Sequence, residues 1–128
     1  MIGGFISVAL GSVLGAVSRY FVSGVVARRV GETFPYGTLL INVTGAFAIG
    51  VFGGLASDTA SLFAEPDPWL FAVTGFLGAY TTVSSFSLQT LSLARDGEAG
   101  RAGLYVALSV GLSLGAASLG FVLVDALK

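Results

Sequence analysis

The sequence predicts an all-α membrane protein with four transmembrane helices per chain, the third broken near its middle. Three observations lead there. The chain of 128 residues is 55% hydrophobic and only 10% charged, whereas a soluble domain carries about 25% charged residues. Its charge-free runs, Met1–Ser18, Thr33–Ser57, Pro68–Ala94 and Ala102–Val124, take up most of its length. Each of the last three exceeds the roughly 20 apolar residues that cross a bilayer as a helix.

The first span, about residues 3–27, reaches crossing length once Arg19 is admitted. Its start, "MIGGFISVALG", lacks the basic opening of a secretory signal and three further spans follow, so no cleavable segment is expected. The second span, about 35–57, opens at Pro35 and Tyr36. The third, about 68–93, opens at Pro68 and Trp69, and the fourth covers about 102–125. Aromatic residues at span ends suit the membrane interface, and proline at a helix start loses little, because its missing N–H would be unpaired there. The connections "ARRVGETFP", "SDTASLFAEPDP" and "RDGEAGR" are too short to fold alone. The chain therefore reads as one transmembrane domain, residues 1–128, whose activity lies within the bilayer.

Nineteen glycines include pairs at helical spacing: Gly11 with Gly15, Gly50 with Gly54, and Gly111 with Gly115. Such pairs let helix backbones approach closely in lipid, and together they favour an oligomer. Arg28, Arg29, Arg95 and Arg101 fall in the first and third connections, with only Lys128 and the N-terminal amine on the other side. The positive-inside rule then turns both termini outward. The bias is small, so insertion in both orientations stays open. A net charge of −1 offers no basic patch for nucleic acid, and the absence of Cys and His leaves little scope for a thiol or imidazole metal site.

No Asp, Glu, Lys or His lies inside a span, although Asp125 sits at the very end of the last. Proton-coupled transporters usually keep an acidic or His relay in the membrane. A small multidrug-type exporter is thus an alternative by size that the missing carboxylate opposes. Arg19, in "GAVSRYF", has two readings: it snorkels to the interface, or it raises the potential at the mouth of an aqueous cavity and draws in anions. Asn42, in "GTLLINVTGAFAIG", is either interhelical glue or an N–H donor to an anion in a pore. Tyr105, Ser109 and Ser113, spaced i, i+4 and i+8, lie along one helical face and form either a polar track or locally back-bonded hydroxyls.

The stretch "GFLGAYTTVSSFSLQT", Gly75–Thr90, holds six Ser and Thr residues in a charge-free span. Gly78, Thr81 and Thr82 are weak helix formers clustered at its midpoint. A break there frees backbone carbonyls that lipid cannot satisfy. Two chains packed with opposite orientations would bring both breaks together on a two-fold axis, where the carbonyls suit a small hard cation such as Na+. An unbroken helix with back-bonded hydroxyls is the alternative.

"GSVLGAVSRY", "GTLLINVTGAFAIG" and "GFLGAYTTVSSFS", in this order on the first three spans, resemble the signatures of the Fluc (CrcB) fluoride channel family, and the Tyr–Ser–Ser track extends the likeness to the fourth. The resemblance implies an antiparallel, dual-topology dimer in the cell membrane that exports fluoride passively, relieves fluoride toxicity, and is not an enzyme. It implies that the Gly78 and Thr81 carbonyls hold a structural Na+ at the dimer axis. It places Asn42, Phe86, Tyr105, Ser109 and Ser113 in the pore and Arg19 in the vestibule. The hydroxyls of Thr82, Ser84 and Ser85, which follow the break, are expected to line the anion path too. Ring edges carry partial positive charge, so edge-on contact with F− is favourable. The family's usual TTFSTF run reads "TTVSSF" here: Val83 replaces one pore phenylalanine, Ser85 replaces Thr, and Gln89 stands where an acid is common. That departure keeps open a heterodimer with a paralogous partner beside the homodimer.

Overall fold

The computed structural model describes all 128 residues, Met1–Lys128, and every regular element is helical. Helix α1 spans Ile2–Val30 and α2 spans Tyr36–Ala56. After a 3-10 turn at Leu62–Ala64 comes α3, residues 66–80, in which a π-helical stretch, Leu70–Leu77, lies between α-helical Pro66–Trp69 and Gly78–Tyr80. Helix α4 follows at Ser84–Arg95 and α5 at Ala99–Ala126. Three helices, α1, α2 and α5, are long and apolar enough to cross a membrane. Neither α3 nor α4 is that long by itself.

The element ends follow local chemistry. Gly31 stops α1 with φ 78°, its N–H closing on the Ala27 carbonyl at 3.0 Å, and Gly97 (φ 80°) turns the chain from α4 into α5. Both positions need the left-handed backbone that glycine adopts without a side-chain penalty. Arg28 and Arg29 in the last turn of α1 complement the negative end of its dipole. Pro66 starts α3 at its first position.

Only 16 of 128 residues are buried, while Phe5, Val17, Leu114 and many other large apolar side chains lie more than half exposed. The helices therefore turn apolar faces outward, the arrangement of a protein solvated by lipid rather than water. The buried contacts run along backbone seams. Gly11 and Gly15 of α1 lie directly against the main chain of Phe71 and Phe76, and Gly75 meets Val8 and Gly11 in return. Gly50 of α2 lies against the Ala117 carbonyl, Gly120 of α5 against that of Phe47, and Gly54 against Phe121 and Val124. The first two glycine pairs are thus packing seams. The third is not a seam within the chain: Gly111 and Gly115 have no atom of their own chain near enough to touch an added Cβ. They lie half a helical turn round α5 from Gly120, so the face that meets α2 cannot include them.

A side chain at Gly50 has nowhere to go except into the backbone of α5. Gly50→Val is expected to lose about 1–3 kcal/mol or to abolish folded yield. Gly100→Ala, in open space, is expected to match the wild type or gain up to about 1 kcal/mol of helix propensity. Thermal unfolding in detergent, followed by size-exclusion profile, measures both.

Candidate functional site

The third helical region breaks at 81–83. Thr81 still closes the preceding turn, its N–H donating to the Leu77 carbonyl at 3.0 Å and its Oγ1 to the same oxygen at 2.9 Å, but its ψ of 163° sends the chain into an extended course. Gly78 is not the break. Its φ of −60° and ψ of −35° are helical, so within the expected cluster of Gly78, Thr81 and Thr82 the α-helical backbone runs through the glycine, and the β-branched pair after it leaves the helix.

Side chains from two other helices hold the break open. Asn42 of α2 donates from Nδ2 to the Thr82 carbonyl at 2.9 Å and accepts the Thr82 N–H on Oδ1 at 2.8 Å. In an unbroken helix that N–H would bond the Gly78 carbonyl. Arg19 of α1 reaches the Thr81 carbonyl with Nη1 at 3.3 Å. Its guanidinium therefore points to the break instead of running free to the interface. Thr82 Oγ1 accepts the Ser85 N–H at 3.2 Å, capping α4, and pairs with Ser84 Oγ at 3.2 Å. Buried Gly45 leaves room for the Thr81 methyl, and Thr44 Oγ1 hydrogen-bonds Tyr80 Oη at 2.9 Å.

Beside the break runs a groove of about 520 Å3, lined by Asn42, Gly78, Thr81, Thr82, Phe86, Ser109 and Ser113, together with Val83, Val110 and apolar residues of α2 and α3. On the other side of Thr82 lies a cavity of about 490 Å3 that holds Arg19, Arg28, Glu32, Thr38 and Ser85. Thr82 lines both, so it stands between them. Ser109 Oγ is buried and has no hydrogen-bond partner. Val83 is 76% exposed, so the position of the absent ring projects away from its own chain. Ser84 is exposed and belongs to neither space.

Tyr105 is set apart from the other track residues. It is fully buried, its hydroxyl donates to Gln89 Oε1 at 3.0 Å, and its ring packs against Phe86 at 5.3 Å and edge-on to Phe34 at 5.6 Å. The Arg101 guanidinium lies 5.6 Å from the Phe34 ring. Phe34, Gln89 and Arg101 line a third cavity, of about 460 Å3. Tyr105 thus lies between that cavity and the groove and lines neither, so the three-residue track is interrupted at its first member. The roles of Phe34 and Gln89 were not foreseen. Gln89 had a signal, since it follows Phe86 by three residues on one helical face; Phe34, in a connection, had none.

For a small hard cation, the chemistry of Gly78 and Thr81 fits. Gly78 lines the groove, and its carbonyl has lost its helical donor, the Thr82 N–H, to Asn42. The Thr81 carbonyl bonds Arg19 through one lone pair and keeps a second. Both are neutral hard oxygens, and one chain supplies two, fewer than such an ion takes. Thr82→Val should remove the cap on Ser85 at a cost of about 1 kcal/mol. Ser84→Ala, at an exposed residue whose hydroxyl makes one long contact, to Thr82 Oγ1 at 3.2 Å, should fall within about 0.5 kcal/mol of wild type. Thermal midpoints in one detergent compare the two.

Comparison with known proteins places this arrangement. The model of the family described as "CrcB-like protein, Camphor Resistance (CrcB)" matches residues 6–121. The chain is 65% identical to "Fluoride-specific ion channel FluC 2" of Bradyrhizobium diazoefficiens, over 99% of this chain and 93% of that protein. It is 61% identical to the protein of the same name in Rhodopseudomonas palustris, over 94% and 92%. To "Fluoride-specific ion channel FluC" of Opitutus terrae it is 48% identical, over 92% and 89%. With a family model covering nearly its whole length and relatives of this identity, the chain belongs to the CrcB family.

Proposed function

We propose that this protein is a fluoride-specific ion channel of the cell membrane that lets fluoride leave passively and so relieves fluoride toxicity. The observation that carries the reading is the near-full-length likeness to proteins named for that activity. The groove chemistry supports it. A bare fluoride needs short N–H or O–H donors to replace water, and Ser109 Oγ is buried with its hydrogen-bonding capacity unused, in the groove that Asn42 and Phe86 also line. The multidrug-exporter alternative has no support from the relatives.

In this reading α3 and α4 together form one interrupted crossing, the third of four in a multi-pass protein. Two copies assemble with opposite orientations, their Val83-bearing grooves facing each other, and Arg19 lends positive potential to the vestibule. Na+ on the two-fold axis would take the Gly78 and Thr81 carbonyls of both chains and supply a fixed positive charge. A second reading, the subunit of a heterodimer, is favoured by one observation: Val83 is exposed where a ring edge would serve an anion. A paralogue would then bring the missing ring.

Liposomes loaded with fluoride test the main reading, with efflux followed by a fluoride electrode after an ionophore for the counter-ion is added. The purified chain is expected to release fluoride and not chloride; Asn42→Asp is expected to slow release at least about 100-fold, the size of losing a groove donor in a dry site, and Phe86→Ile to slow it by removing the ring edge. A folded chain that is silent alone and active with a coexpressed paralogue would establish the heterodimer; silence in both settings would remove the channel reading. For Na+, exchange into a large organic cation is expected to lower the thermal midpoint of the assembled protein, and Na+ to restore it with a saturable dependence. An unchanged midpoint would remove the ion.

A further inference from the structure

The resemblance casts Asn42 as a donor that simply points into the pore, yet two of the amide's bonds are made to backbone. Oδ1 takes the Thr82 N–H at 2.8 Å, and one Nδ2 hydrogen goes to the Thr82 carbonyl at 2.9 Å. A carboxamide offers one acceptor oxygen and two donor hydrogens. The ring closed with Thr82 therefore leaves a single N–H free, and it also decides which end of the amide is nitrogen, because Thr82 presents one donor and one acceptor. A side chain held at both ends cannot rotate to follow an ion.

We propose that Asn42 is a positioning residue for conduction: its amide replaces two helix hydrogen bonds lost at Thr82, holds the chain in its broken course, and fixes the direction of its own remaining N–H. Three further observations support this. Asn42 sits between Thr38 and Ile41, both buried, and Gly45, which accommodates the Thr81 methyl. One face of α2 thus cradles the whole break. Helix α2 is itself fixed against α5 where Gly50 meets Ala117 and Gly120 meets Phe47. Thr82, the residue held, lines both the groove and the Arg19 cavity, so displacing it changes the wall between them. The consequence for flux rests on the channel reading; the clamp does not.

The test is residue-resolved amide hydrogen exchange on the full chain in lipid, run beside fluoride efflux from liposomes. In the wild type the Thr82 N–H should be protected although it belongs to no helix. Asn42→Ala should speed Thr82 exchange by about 30-fold, the size of two net hydrogen bonds, leave the cores of α1 and α5 as they were, and cut fluoride efflux at least about tenfold by displacing a positioned group. Asn42→Asp keeps an acceptor for the Thr82 N–H and loses both donors, so it should keep most of the Thr82 protection while losing efflux. Wild-type Thr82 exchanging as a free amide, or an Asn42→Ala chain with Thr82 still protected, overturns the clamp. An Asn42→Ala chain with Thr82 open and efflux intact overturns its role in conduction. If Asn42→Ala does not fold, the wild-type exchange and Asn42→Ser, whose hydroxyl is too short to close the ring, decide the same question. A wild type that passes no fluoride would count against the channel reading, while the exchange data would still judge the clamp.

Discussion

A broken backbone inside an apolar bundle leaves N–H and C=O groups with no water to take them, and each unsatisfied group costs several kcal/mol. The hydrogen-bonded ring between Asn42 and Thr82 meets that constraint for both polar main-chain groups of one residue. Arg19 takes the Thr81 carbonyl, and Thr82 Oγ1 takes the Ser85 N–H in the first turn of α4. The groove, the cavity beside it and the loss of the helical donor to the Gly78 carbonyl all follow from this arrangement. If the Thr82 N–H returned to Gly78, the helix would close and the two spaces would no longer meet at a single residue.

Short side chains can support the break only because the helices lie close. An Asn reaches about one hydrogen bond beyond its own helix, so α2 must sit near the break before Asn42 can bridge to it. The glycine seams provide that closeness by letting backbone touch backbone at Gly11, Gly15 and Gly75 on one side and at Gly50 and Gly120 on the other. The π-helical stretch Leu70–Leu77 lies along the first of these seams. An α-helical turn, Gly78–Tyr80, separates it from the exit at Thr81.

Much of this was legible in the sequence, and what was not has a common cause. Charge-free runs pointed to long apolar helices, because lipid demands continuous apolar length, and three such helices are present. Weak helix formers marked the middle of the third region, but propensity did not tell Gly78 from Thr81 and Thr82. In a close-packed membrane helix, glycine is tolerated; the residues that leave the helix here are those whose polar groups find partners elsewhere. Those partners, Arg19 and Asn42, lie about sixty and forty residues away in sequence, beyond any local pattern. The same holds for Tyr105: its spacing to Ser109 placed it on a shared face, while the acceptor that turns its hydroxyl aside, Gln89, belongs to another helix. Spacing within one helix shows which residues share a face, and contacts between helices determine what that face meets.

The break also sorts charge. Helix α3 ends at it, presenting carbonyl oxygens and the negative end of its dipole; α4 begins at it, presenting N–H groups and the positive end. Arg19, the cation nearest the break, bonds a carbonyl of the α3 end, as this polarity requires. Phe86 and the unpaired Ser109 hydroxyl lie where α4 faces the groove. One discontinuity in one helical region thus offers oxygens on one side and donors on the other. An assembly that places a cation on the oxygens would strengthen the field at the donors without putting a charged side chain in the groove. Such a separation would let a span free of acidic, Lys and His residues discriminate by charge, with the polarity supplied by the backbone and held in place by the side chains.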